Sequence, residues 1–324
     1  TQSCFAFCTY CFRHAQVRGD EDMFSQSEIA PVLEYLKKHK EVTDVLITGG
    51  DGGLMPYDRL HQYLMPIVED QELAHIKTIR IGSRALTYYP HMILKEEYNR
   101  YLSLFQHLTD NGIQVAWMAH FSTPREILNL PAIAAVRRLR AYGLTVKSQS
   151  PIMNHISLFT DEKGHVDVDK SAQNWIDLAN IFAMLGIGFH SMYLARPTGE
   201  HHYFTVPVAD INRVFSKIYR SLPSLNRPSR YITQTSSAGK ISILGTTEVN
   251  GEKAFVLKFN EARNMEWMDE VFLAKYDEYE NTVENLKPFE GERHFFEDEL
   301  QQIEQEREET LYRKMKENRI NPSS

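Results

Sequence analysis

Strand patterns and helix patterns alternate along the first two thirds of the chain, and this alternation constrains the fold most strongly. A strand, a helix and a second strand in this order pack as a parallel sheet covered by helices. The pattern predicts an α/β fold whose functional residues collect at the carboxyl ends of the strands. Ser25 and Glu28 have the spacing of a capping box, which predicts the start of the first helix. The predicted strands are 44–48, 76–82, 114–121, 145–152 and 188–195, and the predicted helices are 25–39, 57–69, 96–111, 124–142 and 171–185.

The alternation stops beyond residue 205. A helix at 208–222 precedes a strand-rich segment, in which Asn250-Gly251 is typical of a hairpin turn. The pattern of charged and apolar residues at 278–316 predicts a helical tail. This helix could pack on the body or on a partner subunit of an oligomer, or it could be surrounded by solvent. The strands of the segment are predicted at 230–237, 241–244 and 253–259. We expect three parts of the chain: an α/β body at 1–205, an α+β segment at 206–262 and a charged helical extension at 263–324.

The overall charge and hydropathy exclude several classes of partner. Lys and Arg number 36 against 43 Asp and Glu, so the chain has no basic surplus for a nucleic-acid backbone. Its longest apolar run, 181–189, is half of the about 20 residues that cross a bilayer, and no leader opens it. We therefore expect a cytoplasmic protein with no membrane partner. Because the chain begins at Thr1 beside a conspicuous motif, we also expect an upstream part.

All three cysteines of the chain, Cys4, Cys8 and Cys11, lie within its first eleven residues. Disulfides explain them poorly, because the number is odd and the loops would be tiny. A zinc site would need His14 as a fourth ligand. Three thiolates on one loop could instead hold a 4Fe-4S cluster and leave one iron without a protein ligand, whereas a ferredoxin-like carrier usually has a fourth cysteine.

The spacing CxxxCxxC, with Tyr10 before the third cysteine, resembles the signature of the radical S-adenosylmethionine superfamily. The resemblance implies that Cys4, Cys8 and Cys11 bind a 4Fe-4S cluster whose open iron takes S-adenosylmethionine and cleaves it to a 5'-deoxyadenosyl radical. It also implies a partial (β/α)6 barrel, with its first strand upstream of Thr1 and a C-terminal α+β extension.

Short motifs at successive strand ends are similar to those of the lysine 2,3-aminomutase family, in the same order, over about residues 4 to 260. That family also binds pyridoxal 5'-phosphate as a Schiff base on a lysine, and Lys240 stands in the corresponding segment. The resemblance implies an isomerase that moves an amino group between carbons 2 and 3 of an amino acid, supplied with electrons by a flavodoxin or ferredoxin. The motifs are Arg13 after the cysteines, 47–51, 80–84, 120–124 and 149–150.

The family's roles carry over position by position. Arg13 matches the arginine that pairs with the substrate α-carboxylate, a task that suits a planar guanidinium. Lys240 and Arg13 are the predicted catalytic residues. The residues predicted to bind S-adenosylmethionine or pyridoxal phosphate are Gly49, Gly50, Asp51, Arg84, His120, Gln149, Tyr193 and Lys240.

Two departures concern the substrate and the assembly. Lysine-specific members hold the distal ammonium with two aspartates, where this chain has Arg196 and Thr233. An arginine repels an ammonium and attracts a carboxylate, so we expect an acidic or differently polar amino acid as substrate rather than lysine. No cysteine follows Cys11, so the family's C-terminal zinc contact between subunits is not expected.

Two other functions stay open at this point. The chain could be a radical S-adenosylmethionine enzyme of another reaction type without pyridoxal phosphate, such as an epimerase or a protein-modifying enzyme. It could also be a non-catalytic iron–sulfur protein, in which case the cluster forms but never cleaves S-adenosylmethionine.

Overall fold

The computed structural model describes residues 3–11, 13, 28–195, 201–228 and 231–320. The chain forms two compact units, and each is described by itself. The first consists of Thr1–Val206 and Arg213–Tyr231, and the second of Pro207–Asn212 and Ile232–Ser324. The expected breaks at residues 205 and 262 stay predictions.

In the described residues of the first unit, five parallel strands pair in chain order, each with the next. Helices separate them, as βαβ units require. The expected α/β class is therefore confirmed. The strands are β1 (Asp44–Ile47), β2 (Thr78–Ser83), β3 (Gln114–Ala119), β4 (Thr145–Ile152) and β5 (Gly188–Leu194).

The helices of the chain up to residue 221 vary from single turns to five turns. In the described ranges, none of the chain's helices combines the length and the apolarity needed to cross a membrane. The helices are α1 (Ala30–Lys38), α2 (Tyr57–Glu69), α3 (Ala85–Tyr88), α4 (Pro90–Leu94), α5 (Asn99–Asp110), α6 (Leu130–Ala141), α7 (Val168–Leu185), α8 (His201–Phe204) and α9 (Val208–Ser221).

The two faces of this sheet differ in burial. One face carries apolar side chains that are almost fully buried, among them Ile81, Trp117 and Val146. Side chains alternate along a strand, so the residues between them face the opposite side. That side, which we call the polar face, includes Arg80 of β2, Lys147 and Gln149 of β4 and Tyr193 of β5, all of them partly exposed.

Two of the helices predicted before residue 186 begin at least five residues later than the sequence predicts. Glu28 lies outside the helix that begins at Ala30 with Pro31 in its first turn, so the predicted helix start at residue 25 is wrong for this helix, and the capping box of Ser25 with Glu28 stays a prediction. Proline is favoured in a first turn because a backbone N–H at that position has no acceptor within the helix, so its absence in proline costs no hydrogen bond. Ser25 is outside the described residues. The helix predicted from residue 124 begins at Leu130, because the Asn129 side chain caps it by accepting from the amide of Ala132 at 2.9 Å.

The second unit contains four antiparallel strands. The predicted hairpin turn is confirmed, since Asn250 and Gly251 have φ values of 53° and 83°, as a type I′ turn requires. The fourth strand was not predicted. The strands are β6 (Ile232–Thr235), β7 (Gly239–Val249), β8 (Glu252–Ala262) and β9 (Val271–Lys275).

The tail is helical over a shorter range than the sequence predicts. The expected helix at 278–316 is observed as α10 (Glu297–Ile320), preceded by loop and a short 3₁₀ turn, Val283–Asn285. Pro288 lies in the non-helical part and bridges to Ala274. A proline cannot donate the backbone hydrogen bond that a helix interior needs, so one regular helix cannot run through position 288.

Candidate functional site

The cysteine loop of the first unit is attached to the loop that follows β1. The amide of Asp51 donates to the carbonyl of Ser3 at 2.8 Å, and Arg13 Nη1 lies 3.5 Å from the carbonyl oxygen of Gly49. Within the cysteine loop, the amide of Cys11 donates to the carbonyl of Cys8 at 3.0 Å and closes a turn. The three thiols therefore lie at the carboxyl end of β1.

Asp51 fastens this loop to the end of β2. Its carboxylate is buried, and its two oxygens accept hydrogen bonds from the amides of Gly53 at 2.9 Å and Arg84 at 2.8 Å. Burial raises the pKa of Asp51, although these hydrogen bonds act in the opposite direction. The observed contacts of the Asp51 carboxylate are thus with backbone amides and with the Ser83 side chain, and its contact with S-adenosylmethionine stays a prediction.

The guanidinium of Arg84 connects the cysteine loop with the loop that follows β3. It is nearly buried, and Nη1 donates to Cys8 Sγ at 2.9 Å and to the Tyr10 hydroxyl. Nη2 donates to Glu126 Oε1 at 3.1 Å, and the guanidinium carbon lies 4.5 Å from the centre of the Tyr88 ring. Hydrogen bonds to ionised groups are among the stronger ones in a protein. Arg84 therefore holds both loops against the sheet edge.

His120 lies at the end of β3, beside the cysteine loop. Its Nε2 is 3.4 Å from the Tyr10 hydroxyl and 3.3 Å from Ser122 Oγ. Removal of the ring from water, together with the positive charge of Arg84, lowers the pKa of His120 well below its ordinary value. Burial also raises the pKa of Tyr10. The imidazole is consequently neutral near pH 7 and can exchange hydrogen bonds with both hydroxyls.

Gln149 and Tyr193 share the polar face. In the β4–β5 register, Gln149 is opposite Ser191 and Pro151 is opposite Tyr193. The register shifts between Ser148 and Gln149, so one residue of β5 has no partner there. The structure thus brings the cysteines, Arg13, Gly49, Gly50, Asp51, Arg84 and His120 together, and it puts Gln149 and Tyr193 on the polar face. Arg196 and His14 lie outside the described residues.

The cysteine loop offers three thiols, a donor set that could hold an iron–sulfur cluster. All three thiols are free and partly exposed. In the part of the chain that the structure describes, no three His, Cys, Asp or Glu side chains converge on a point that could hold one metal ion. A four-iron cluster takes each thiolate on a different iron, so its ligands need not converge. Burial, with the charges of Cys8 and Cys4 in addition, raises the pKa of Cys11, and metal binding would release its proton.

Lys240 lies in the second unit at the start of β7. Its Nζ donates to both carboxylate oxygens of Glu261, each at 2.7 Å, and its side chain is 29% exposed. At the neighbouring Gly239, φ is 148° and an added Cβ would lie 2.1 Å from the carbonyl oxygen of Glu261. Only glycine suits that position. A reachable amine with small neighbours fits attachment of pyridoxal phosphate once Glu261 releases it.

Thr233, a predicted substrate residue, is buried in the second unit. Its hydroxyl lies 3.3 Å from Ser242 Oγ and accepts from Asn260 Nδ2 at 3.2 Å. Thr233 therefore belongs to a group of neutral side chains that are hydrogen-bonded to one another. Its role toward a substrate stays a prediction.

Sequence reasoning missed Glu126 and Glu261. Glu126 accepts from the amides of Ser122 and Thr123 and forms a capping box with Thr123. The Thr-x-x-Glu spacing is a local signal that could have identified it. Glu261 has no such signal, because its contact with Lys240 depends on the antiparallel register of β7 and β8.

The first unit has the layout of an α/β enzyme, with polar side chains and three thiols at the carboxyl edge of parallel strands. No family model matches the chain. Its sequence is 27% identical over 249 residues to a putative L-lysine 2,3-aminomutase of Aquifex aeolicus. The matched region covers 76% of this chain and 61% of that protein.

Two further relatives match about half of the chain. A glutamate 2,3-aminomutase of Clostridioides difficile is 26% identical over 48% of this chain and 34% of its own length. An L-lysine 2,3-aminomutase of Clostridium subterminale is 26% identical over 48% of this chain and 35% of its own. The chain is thus related to curated lysine 2,3-aminomutases, and the resemblance found in its motifs is confirmed. It covers less than two thirds of each relative's length.

Replacement of Arg84 by methionine should destabilise the chain more than the same change at Arg80. Arg84→Met leaves Glu126 without its nearly buried partner, and we expect a loss of about 2 to 4 kcal/mol in the free energy of unfolding. Arg80 and Asp44 form a more exposed pair at 2.8 Å, so Arg80→Met should cost less than about 1 kcal/mol. Urea unfolding of both variants measures the difference, and equal losses would contradict the central role of Arg84.

His120 should make the stability depend on pH. The unfolded chain takes up a proton on this imidazole below about pH 6.5, whereas the folded chain, with its lowered pKa, does not. The contribution of neutral His120 to the free energy of unfolding is therefore fully present above pH 6.5. It falls as the pH decreases from 6.5 toward the pKa of His120 in the folded chain. Between pH 6.5 and 5 we expect the wild type to lose about 1 kcal/mol per pH unit more than His120→Gln.

The control for this prediction is His165→Gln, because His165 lies exposed in a surface loop. Urea unfolding at pH 7.0, 6.0 and 5.0 provides the comparison. If His120→Gln retains the wild-type slope, protonation of His120 does not limit the stability of the folded chain.

Proposed function

We propose that this chain forms part of a radical S-adenosylmethionine enzyme that moves an amino group between carbons 2 and 3 of an amino acid, with pyridoxal phosphate as second cofactor. The observation that supports it best is the attachment of a three-thiol loop to the carboxyl edge of the parallel strands through Asp51 and Arg84. The relatives named lysine and glutamate 2,3-aminomutase support the same reaction class.

Cys4, Cys8 and Cys11 would hold the 4Fe-4S cluster in this proposal. Bound there with S-adenosylmethionine, the cluster supplies a 5'-deoxyadenosyl radical. The guanidinium of Arg84 would offset the negative charge at Cys8, to which it already donates. Gly49, Gly50 and Asp51 would bind S-adenosylmethionine beside it, and His120, Gln149 and Tyr193 would line the cofactor sites.

Arg13 and Lys240 would carry the binding of substrate and second cofactor. The guanidinium of Arg13 would take the substrate α-carboxylate in a bidentate pair. Lys240 would hold pyridoxal phosphate, which supplies a carbonyl carbon that takes up the substrate amine. Glu261 would keep the lysine amine in place before the cofactor arrives and would accept a proton from it.

The remaining expectations belong to the same proposal. The five parallel strands would form part of a (β/α)6 barrel, with the second unit as its α+β extension. The enzyme would lie in the cytoplasm, receive electrons from a flavodoxin or ferredoxin and use an amino acid other than lysine. Arg196 and Thr233 would contribute to that choice of substrate, and contacts of the tail would support a homo-oligomer.

One contact favours a second candidate function. Both oxygens of Glu261 hold Lys240, as in a structural ion pair between neighbouring strands. If this pair never opens, the chain would be a radical S-adenosylmethionine enzyme of another reaction type that works without pyridoxal phosphate.

Cleavage of S-adenosylmethionine tests the radical chemistry. We expect the chain, reconstituted anaerobically with iron and sulfide and reduced with dithionite, to release 5'-deoxyadenosine from S-adenosylmethionine. Cys8→Ala should lose the cluster and the product, while its circular dichroism stays that of the wild type. Iron bound at the wild-type level in Cys8→Ala would refute the cluster assignment, and iron without cleavage would favour a non-catalytic iron–sulfur protein.

Trapping with borohydride tests Lys240. Reduction in the presence of pyridoxal phosphate should attach the cofactor to the peptide that contains Lys240, as detected by mass spectrometry. Lys240→Ala should lose the label and the absorbance of the bound cofactor, and Lys258→Ala, a change in the adjacent strand, should retain both. Release of 5'-deoxyadenosine by a chain that takes no label would support the second candidate.

A further inference from the structure

Lys147 lies in the middle of the polar face. In the strand register, Gly82 is opposite Met118, Met118 is opposite Lys147, and Lys147 is opposite Gly188. These four residues form one row across β2 to β5. Gln149 follows two residues later on the same strand, about 7 Å closer to the carboxyl edge. Lys147 therefore lies one row below the residues predicted to bind the cofactors.

Glycine at position 188 leaves the space that the lysine side chain occupies. An added Cβ at Gly188 would lie 3.0 Å from Cδ and 3.1 Å from Nζ of Lys147. The side chain of Lys147 therefore extends over β5 at Gly188. Gly82, at the other end of the row, also has no side chain. The row consequently contains one cation, one flexible apolar side chain and two positions without side chains.

Among the described residues of the five strands, none places a free counter-charge for Lys147 on this face. The acid there is Asp44 in β1, and Arg80 holds it at 2.8 Å. Among the residues that the structure describes, Lys147 makes neither a hydrogen bond nor an ion pair. Its side chain is partly buried, and a partly buried charge without a partner is costly. An anion in the space next to it would remove that cost.

We propose that Lys147 binds the side-chain carboxylate of the substrate and thereby selects acidic amino acids. This inference rests on the proposed function. It is independent of Arg196, which lies outside the described residues, and of Thr233 in the second unit. The carboxylate would pair with Nζ above Gly188, where the glycine has no side chain to obstruct it. A neutral amide in the same place would leave the charge unbalanced, so L-glutamate is preferred over L-glutamine.

Isothermal titration calorimetry of the cofactor-loaded chain with L-glutamate and L-glutamine tests the proposal without relying on turnover. Lys147→Met should weaken the binding of L-glutamate about 10- to 100-fold and leave that of L-glutamine unchanged. Lys147→Arg should retain most of the preference. Gly188→Ala keeps the charge but displaces it, so it should give a smaller loss. The matched control is Lys77→Met, since Lys77 is an exposed lysine that donates to the carbonyl of Ala74.

Other results would overturn the proposal. One such result is equal binding of L-glutamate by the wild type and by Lys147→Met. Another is a wild type that binds L-glutamate and L-glutamine equally well, or that binds neither of them. If Lys147→Met instead weakens the binding of inorganic phosphate, the anion at Lys147 is a cofactor phosphate. Failure of the proposed function looks different: L-glutamate binds through Lys147, but no 5'-deoxyadenosine forms.

Discussion

The nearly buried guanidinium of Arg84 is the interaction on which the candidate site depends. It reaches Cys8 and Tyr10 in the cysteine loop and Glu126 in the loop after β3. Little water surrounds the guanidinium to replace a lost partner, so loss of any one of these contacts would leave it incompletely paired. These contacts fix the position of the Cys8 thiol, and a ligand that is already in place lowers the ordering cost of binding.

The sheet behind this frame explains why the site lies where it does. Parallel strands in chain order bring every strand-to-helix loop to one edge, and Asp51 ties two of these loops together through backbone amides. Trp117 and the other apolar residues of the opposite face bury almost completely against the helices. The polar face carries its charged residues, such as Arg80 and Lys147, outside this apolar core.

The second unit raises a separate chemical question. Lys240 is held by Glu261 across neighbouring strands, and the same pair can be a structural brace or a resting state of a cofactor-binding amine. The distinction lies in whether a ligand competes for the amine, since the static contact is identical in both cases. Substrate choice raises a related question in the first unit, where Lys147 offers a charge that a lysine substrate would not neutralise.

Local patterns in the sequence determined the order of strands and helices, the hairpin at Asn250-Gly251 and the spacing of the three cysteines, because each depends on residues close together in the chain. Periodicity did not reveal β9 or the late start of α10. The tertiary structure alone decided the contacts of Arg84 with Cys8, 76 residues away, and the position of Lys147 beside Gly188. Such contacts depend on strand register and loop packing, which bring distant residues together and leave no periodic trace in the sequence.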